Sequence, residues 1–148
     1  MFKKETEYAL RALVYIQLQN IDSRKPGISE IASEIKTPPS FTAKILQRLV
    51  RMGFIQSSKG KNGGYFFDPD KSDLQLFKVI VAIEGETLFT GCGFGLKRCD
   101  ENNPCPLHHS YAPIRDAINT LVQNETIQSL ATSDTSDFEF VFSRNQDS

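Results

Sequence analysis

The 148-residue chain has no apolar run approaching the roughly 20 residues that cross a bilayer, only three cysteines and two histidines, and a net charge of -1. Each scarcity excludes something. With no spanning segment, and with charges interrupting the apolar pattern of MFKKETEYALRALVYIQLQN, the sequence reads as a soluble cytoplasmic protein without a secretory signal. Three cysteines cannot all pair, and a chain of this length buries a core without disulfide staples. The thiols are therefore expected to be reduced and open to metal or redox chemistry.

The small net charge hides an asymmetry. Residues 1–61 carry eleven Lys and Arg against five Asp and Glu, whereas residues 62–148 carry six against thirteen. A basic half of this size is the electrostatic footprint of phosphate contact, and the acidic remainder is expected to serve solubility and packing between subunits.

Periodicity turns the basic half into an architecture. From Glu5 to Gln19, Ala9, Leu10, Leu13, Val14, Ile16 and Leu18 recur mostly at helical spacing, and NIDSRKPG ends the element. Ser29 is the expected cap of a short second helix with Ile31, Ala32 and Ile35 inward, and TPPS stops it. Ser40 is the expected cap of a third helix, with Phe41, Ile45, Leu49 and Met52 inward and Thr42, Lys44, Gln47, Arg48 and Arg51 outward. Gly53 closes it. FIQSS, KGKNGG and YFFDP then read as a β-hairpin with lysines at its tip.

Three helices and a basic hairpin make a winged helix-turn-helix, a mainly α fold. The third helix is expected in the major groove with Ser40, Thr42 and Ala43 nearest the base edges. Lys44, Arg48 and Arg51 give its basic face, and Lys59, Lys61 and Asn62 on the wing approach phosphates or the minor groove. Beyond it, DLQLFKVIVAIEG reads as an extended entry and an amphipathic helix. A long helix from Tyr111 to Ala131 shows Ile114, Ile118, Leu121 and Val122 on one face, more apolar surface than a small winged domain covers, so it is expected to pair with a second copy. The chain thus divides into a DNA-binding domain over 1–84, a cysteine loop over 85–110, a dimerisation helix over 111–131 and a tail over 132–148. The tail contains the strand-like FEFVF and has no assigned role.

All three cysteines and both histidines fall in CGFGLKRCDENNPCPLHH, in the pattern Cys92-x6-Cys99-x5-Cys105-x2-His108. Gly91, Gly93, Gly95 and Pro104 let the backbone wrap a compact object. Three thiolates are one short of the usual four cluster ligands, which His108 can complete. Structural zinc accepts Cys3His but usually with a tighter cysteine pair, so the open spacings favour an iron–sulfur cluster. A Cys–His nucleophile is the enzymatic alternative. A glycine-rich exposed loop excludes water poorly and no substrate-pocket signature accompanies it, so the chain is read as a non-enzyme.

TEYALRAL, ISEIASEI, SFTAKILQRLVRMGFIQSSKGKNGGY, FKVIVAIEG and the three-cysteine loop together resemble the Rrf2 family of winged-helix regulators, over nearly the whole chain to Ala131. The resemblance implies a homodimer on palindromic operator DNA, as repressor or activator, with an iron–sulfur cluster sensing redox state, nitric oxide or cluster status. It also implies two options for the fourth ligand: His108, as in the IscR-like branch, or Glu7 of the partner subunit, as in the NsrR-like branch. A [2Fe–2S] cluster goes with His108, a [4Fe–4S] cluster is the other option, and a purified preparation can arrive without either. Glu7 is otherwise an ordinary first-turn carboxylate and His109 a surface histidine. Phe41 stands where many members have Tyr, and Ala43 where the IscR-like branch has Glu, so this operator is expected to be read differently. The competing reading is a winged-helix regulator with a zinc-bound or cluster-free thiol switch in the loop.

Overall fold

The computed structural model describes residues 1–133, in the order α1 (Lys4–Ile21), α2 (Ile28–Ile35), α3 (Pro39–Arg51), β1 (Gln56–Ser58), β2 (Gly64–Phe66), α4 (Leu76–Glu84), α5 (Thr87–Thr90), α6 (His108–Asn124) and α7 (Ile127–Thr132). Three helices and a hairpin in this order are the winged helix-turn-helix read from the sequence. The FEFVF segment lies outside the described residues. Among those residues, no helix is long and apolar enough to cross a membrane.

Helix α1 is the spine. Ala9, Ala12, Leu13 and Ile16 are fully buried, and the two alanines let neighbouring helices come close. Helices α2, α3, α4 and α7 all pack on it. Burying Leu13 or Ile16 stabilises the fold by about 1.5–3 kcal/mol each.

The two serine caps are corrected. Gly27 is the N-cap of α2, in extended backbone, and its carbonyl accepts the Ile31 N–H at 3.0 Å; Ser29 lies inside the helix. Glycine is itself a competent N-cap. In α3 the proline pair sets the start. Pro38 is the N-cap and Pro39 takes the first helical position, where its fixed φ suits the helix and its missing N–H costs nothing, so Ser40 also falls inside. Ile31, Ala32 and Ile35 are buried as expected. In α3 the buried residues are Thr42, Ile45, Leu46 and Leu49, while Phe41 is 39% exposed and meets Tyr8 edge-on at 5.6 Å. Gly53, at φ 80, closes α3 through N–H bonds from Gly53 to Val50 O and from Phe54 to Leu49 O.

In the wing, Gln56 pairs with Phe66, Ser57 with Tyr65 and Ser58 with Gly64. The α1–α2 connection runs beside β2, with the Tyr65 N–H donating to Pro26 O at 2.9 Å. Glycine is required there. Gly64 sits at φ 150, and a Cβ on it would lie 2.2 Å from Lys25 O.

The helix expected over 111–131 is two helices. The N–H of Leu76 donates to Glu125 O at 3.0 Å and that of Ile127 to Leu74 O at 2.8 Å, so the chain is extended at Glu125 and Thr126 and pairs with the entry to α4. Thr126 then caps α7 in a reciprocal capping box with Ser129. Ile127 and Val122 are fully buried, which docks α7 on α1 and leaves only α6 to project its outer face. Ile127→Ala is expected to lower unfolding free energy by about 2–5 kcal/mol in chemical denaturation.

Candidate functional site

The recognition helix α3 shows one polar face. Ser40, Lys44, Gln47 and Arg51 are exposed at helical spacing, and Lys59, Lys61 and Asn62 are exposed at the wing tip. Two residues expected on the outward face are not there. Thr42 is 1% exposed, and its hydroxyl donates to Pro38 O at 3.0 Å, the local back-bond a threonine makes inside a helix. Arg48 is half-buried and turns back into the protein. Its Nη1 donates to Glu5 Oε1 at 2.6 Å and its Nη2 to the carbonyls of Ala82 and Ile83 at 3.3 and 3.4 Å. Those carbonyls belong to the last turn of α4, where helical partners run out, so a cation there satisfies them and faces the negative end of the helix. Ala43 is half-buried.

The cysteine loop connects α5 to α6. It packs tightly where its glycines fall: a Cβ on Gly93 would lie 2.5 Å from the Tyr111 ring. Cys92, Cys99 and Cys105 are half-buried free thiols. They stand with His108 as two pairs. Cys92 Sγ is 3.6 Å from Cys105 Sγ, and Cys99 Sγ is 3.3 Å from His108 Nδ1. Backbone N–H groups of Leu96 and Phe94 point at Cys92 and hold its thiol below the ordinary cysteine range, with Cys105 and the Gly95 N–H adding to the effect and desolvation opposing it. His108 opens α6, its own N–H bonded to Cys105 O at 3.1 Å.

One functional side chain in this region was missed by sequence reasoning. Arg115, with its side chain 12% exposed, donates from Nη1 to Cys99 Sγ at 3.1 Å and to Gly91 O at 3.2 Å, while its Nε donates to Asp116 Oδ1 at 3.0 Å. Hydrogen bonds to Cys99 first and Asp116 second hold its guanidinium more firmly protonated. The signal was spacing: His108 and Arg115 are two helical turns apart on one face of α6, visible once the helix is started at His108. A cavity of about 660 Å³ opens here, lined by Phe89, Cys99, His108, Ala112 and Arg115 among others.

His109 is exposed and meets the His108 ring edge-on. Glu7 lies half-buried in the first turn of α1. Among the described residues, no group of three or more His, Cys, Asp or Glu converges as a metal site, so the chain alone brings neither the four loop donors nor Glu7 into one set. The donor chemistry of three thiols, an imidazole and N–H groups aimed at sulfur fits an iron–sulfur cluster or another soft metal group.

Comparison with known proteins places this arrangement. The model of the family Rrf2, described as Iron-dependent Transcriptional regulator, matches residues 2–133. Protein aau3 of Rhizobium meliloti is 32% identical over 135 residues, covering 86% of this chain and 82% of that protein. The HTH-type transcriptional regulator IscR of Yersinia pseudotuberculosis is 26% identical over 123 residues, covering 83% of this chain and 74% of its own. The solved structure of CymR, the global cysteine regulator of B. subtilis, is similar with a TM-score of 0.70 at 18% identity, covering 89% of this chain and 96% of that one, a likeness of fold alone. The matched family and IscR are transcriptional regulators, not enzymes.

The placement of the cations has a measurable consequence. Lys44→Ala or Lys61→Ala is expected to weaken binding to all duplex sequences and to reduce the slope of log K against log salt by about 0.9. Arg48→Ala is expected to leave that slope unchanged and to lower stability by only about 0.5–1 kcal/mol, its ion pair being half exposed to screening solvent. Anisotropy titrations across salt concentrations, with denaturation curves, separate the two.

Proposed function

The chain belongs to the Rrf2 family of transcriptional regulators, and on that premise we propose that it is a homodimeric operator-binding regulator whose DNA affinity is set by an iron–sulfur cluster held at the cysteine loop. The observation that carries this reading is that Cys92 with Cys105, and Cys99 with His108, stand as two close pairs in the loop running into α6, the helix that also carries an exposed apolar stripe. The family's description as iron-dependent supports it.

That stripe consists of Ile114, 60% exposed, and Leu121, 55% exposed, two helical turns apart, with Ile118 between them packed partly on the protein's own core. A second copy of α6 laid against it removes these side chains from water and sets two recognition helices at a fixed separation. Adjacent half-sites on one face of B-DNA lie about 34–36 Å apart, so that separation decides affinity. The exposed residues Ser40, Lys44 and Arg51 of α3, with Lys59, Lys61 and Asn62 of the wing, make the DNA contacts in this reading. Arg48 holds α3 against α1 and α4, and Thr42 steadies its first turn.

Bound at the loop, an iron–sulfur cluster would supply iron that reacts with oxidants or nitric oxide. Cys92, Cys99 and Cys105 would hold it, with His108 as fourth ligand. Glu7 of the partner subunit is the competing fourth ligand. The N–H groups around Cys92 stabilise charge on its sulfur. When ligation ends, the loop loses its closure and a coupling of about 1–3 kcal/mol to the dimer geometry changes affinity several-fold to about a hundred-fold.

A second reading has its own observation. Cys92 Sγ and Cys105 Sγ stand 3.6 Å apart as free thiols joined by a hydrogen bond. Hydrogen peroxide would take two electrons and both thiol protons from this pair, joining the sulfurs as a disulfide and leaving as two waters. The loop would then be a cluster-free switch.

Two measurements test the proposal. After anaerobic reconstitution with iron and sulfide, the protein is expected to show charge-transfer absorption that His108→Ala alters and Glu7→Ala leaves intact. A colourless, iron-free product favours the thiol switch, and alteration in Glu7→Ala alone moves the fourth ligand to the partner. In sedimentation, Leu121→Asp is expected to convert dimer to monomer with the fold retained.

A further inference from the structure

We propose that Arg115 is the positioning residue of the cysteine loop, clamping Cys99 and the segment that leads into Cys92 onto α6, so that the state of the loop is transmitted to the helix carrying the apolar stripe. The inference stands on a single guanidinium that reaches two separated points of the loop. Its Nη1 touches Gly91 O, one residue before Cys92, and Cys99 Sγ, while Asp116 holds Nε. The spread of these partners is the informative part.

Apart from the Cys92–Cys105 and Cys99–His108 contacts of the sulfurs, the loop's hydrogen bonds are local. Gly95 N–H donates to Cys92 O, Asn102 N–H to Asp100 Oδ1 and Asn103 N–H to Asp100 O, each between near neighbours in sequence. Such bonds shape turns but do not fix where the turns sit on the protein. Arg115 does so from α6, and His108, two turns earlier on the same face, meets the same Cys99 sulfur. Cys99 is therefore gripped twice from one helix. Adjacent residues on a helix do not normally face each other. The bond from Arg115 to Asp116 thus orients the fork toward the loop as well as balancing its charge.

The stripe lies on the same helix: Ile114 is the residue before Arg115, and Ile118 is three residues beyond. A cation that donates to a sulfur holds that sulfur's orientation, as outer-shell partners hold metal ligands. When the sulfur is oxidised, the clamp loses its partner at Cys99 and keeps only Gly91 O within the loop. The loop end and the seam then move independently. The metal half of this account rests on the iron–sulfur reading above, whereas the clamping of the loop does not.

The test uses the full-length chain as Arg115→Ala and Arg115→Lys variants. In metal-free protein, amide hydrogen exchange across 91–99 is expected to quicken several-fold in Arg115→Ala, with α1 to α4 unchanged and partial rescue in Arg115→Lys. Unchanged exchange across 91–99 would overturn the proposal, whatever the loop binds. Quickening throughout α1 to α4 as well would also overturn it, because Arg115 would then support the fold rather than place the loop. In a parallel arm, cobalt(II) alone is the probe, read by its thiolate charge-transfer band. Wild type is expected to bind it, and Arg115→Ala about 10–100-fold more weakly. Equal affinity in both counts against Arg115 as a ligand-positioning residue. Absence of cobalt binding in wild type sinks the metal reading, and the exchange arm still decides the clamp.

Discussion

The burial of α1 is the constraint on which the other elements depend. A single helix packs against α2, α3, α4 and α7 and is buried without a break from Ala12 to Ile16, and the fully buried Ala9 and Ala12 present almost no side chain to these neighbours. Its N-terminal turns carry the polar links between these elements. Glu5 holds Arg48 of the recognition helix, buried Thr6 donates its hydroxyl to Glu84 at the end of α4 at 2.6 Å, and Tyr8 meets Phe41. Residues 5 to 8 therefore join the DNA-reading helix to the element that leads into the cysteine loop. A displacement at either end of this junction is felt at the other, because packed helices shift as units rather than deform.

The same junction explains which parts of the molecule were legible in the sequence. Helical spacing in α1 to α3, Gly53 and the glycine-rich turn mark the winged domain, because each is a local signal with a local cause. The caps misread because Gly27 and the Pro38–Pro39 pair start their helices before the nearby serines can act. Arg48 reads as an outward cation on a helix wheel. Its commitment to Glu5 and to the α4 carbonyls depends on where α4 lands, which periodicity does not encode. The break at Glu125 is hidden for the same reason. Its cap is Thr126 with Ser129 rather than the common Glu or Gln, and the extended residues are stabilised by Leu74 and Leu76, some 50 positions away.

The candidate sensor was legible in its composition and illegible in its geometry. Three thiols and His108 in one short segment identify the loop, but spacing alone does not show that they settle as Cys92 with Cys105 and Cys99 with His108. Nor does it show Arg115, because Pro113 sits well inside α6, where a proline ordinarily marks a first turn, and the helix is then started too late. Two chemistries share this arrangement. In the proposed reading a cluster would use all four donors and the oxidation of thiols one pair, and both would act on the start of α6 and so on the proposed seam.

The central claim is that the state of the cysteine loop sets operator affinity. The direct measurement is binding of one operator duplex, by anaerobic anisotropy at fixed salt, to the same preparation before and after reconstitution with iron and sulfide. A several-fold to hundred-fold difference between the two forms is the expected result. Equal affinity, with cluster content verified in the reconstituted sample, would contradict the account and leave the loop without a regulatory role through a cluster.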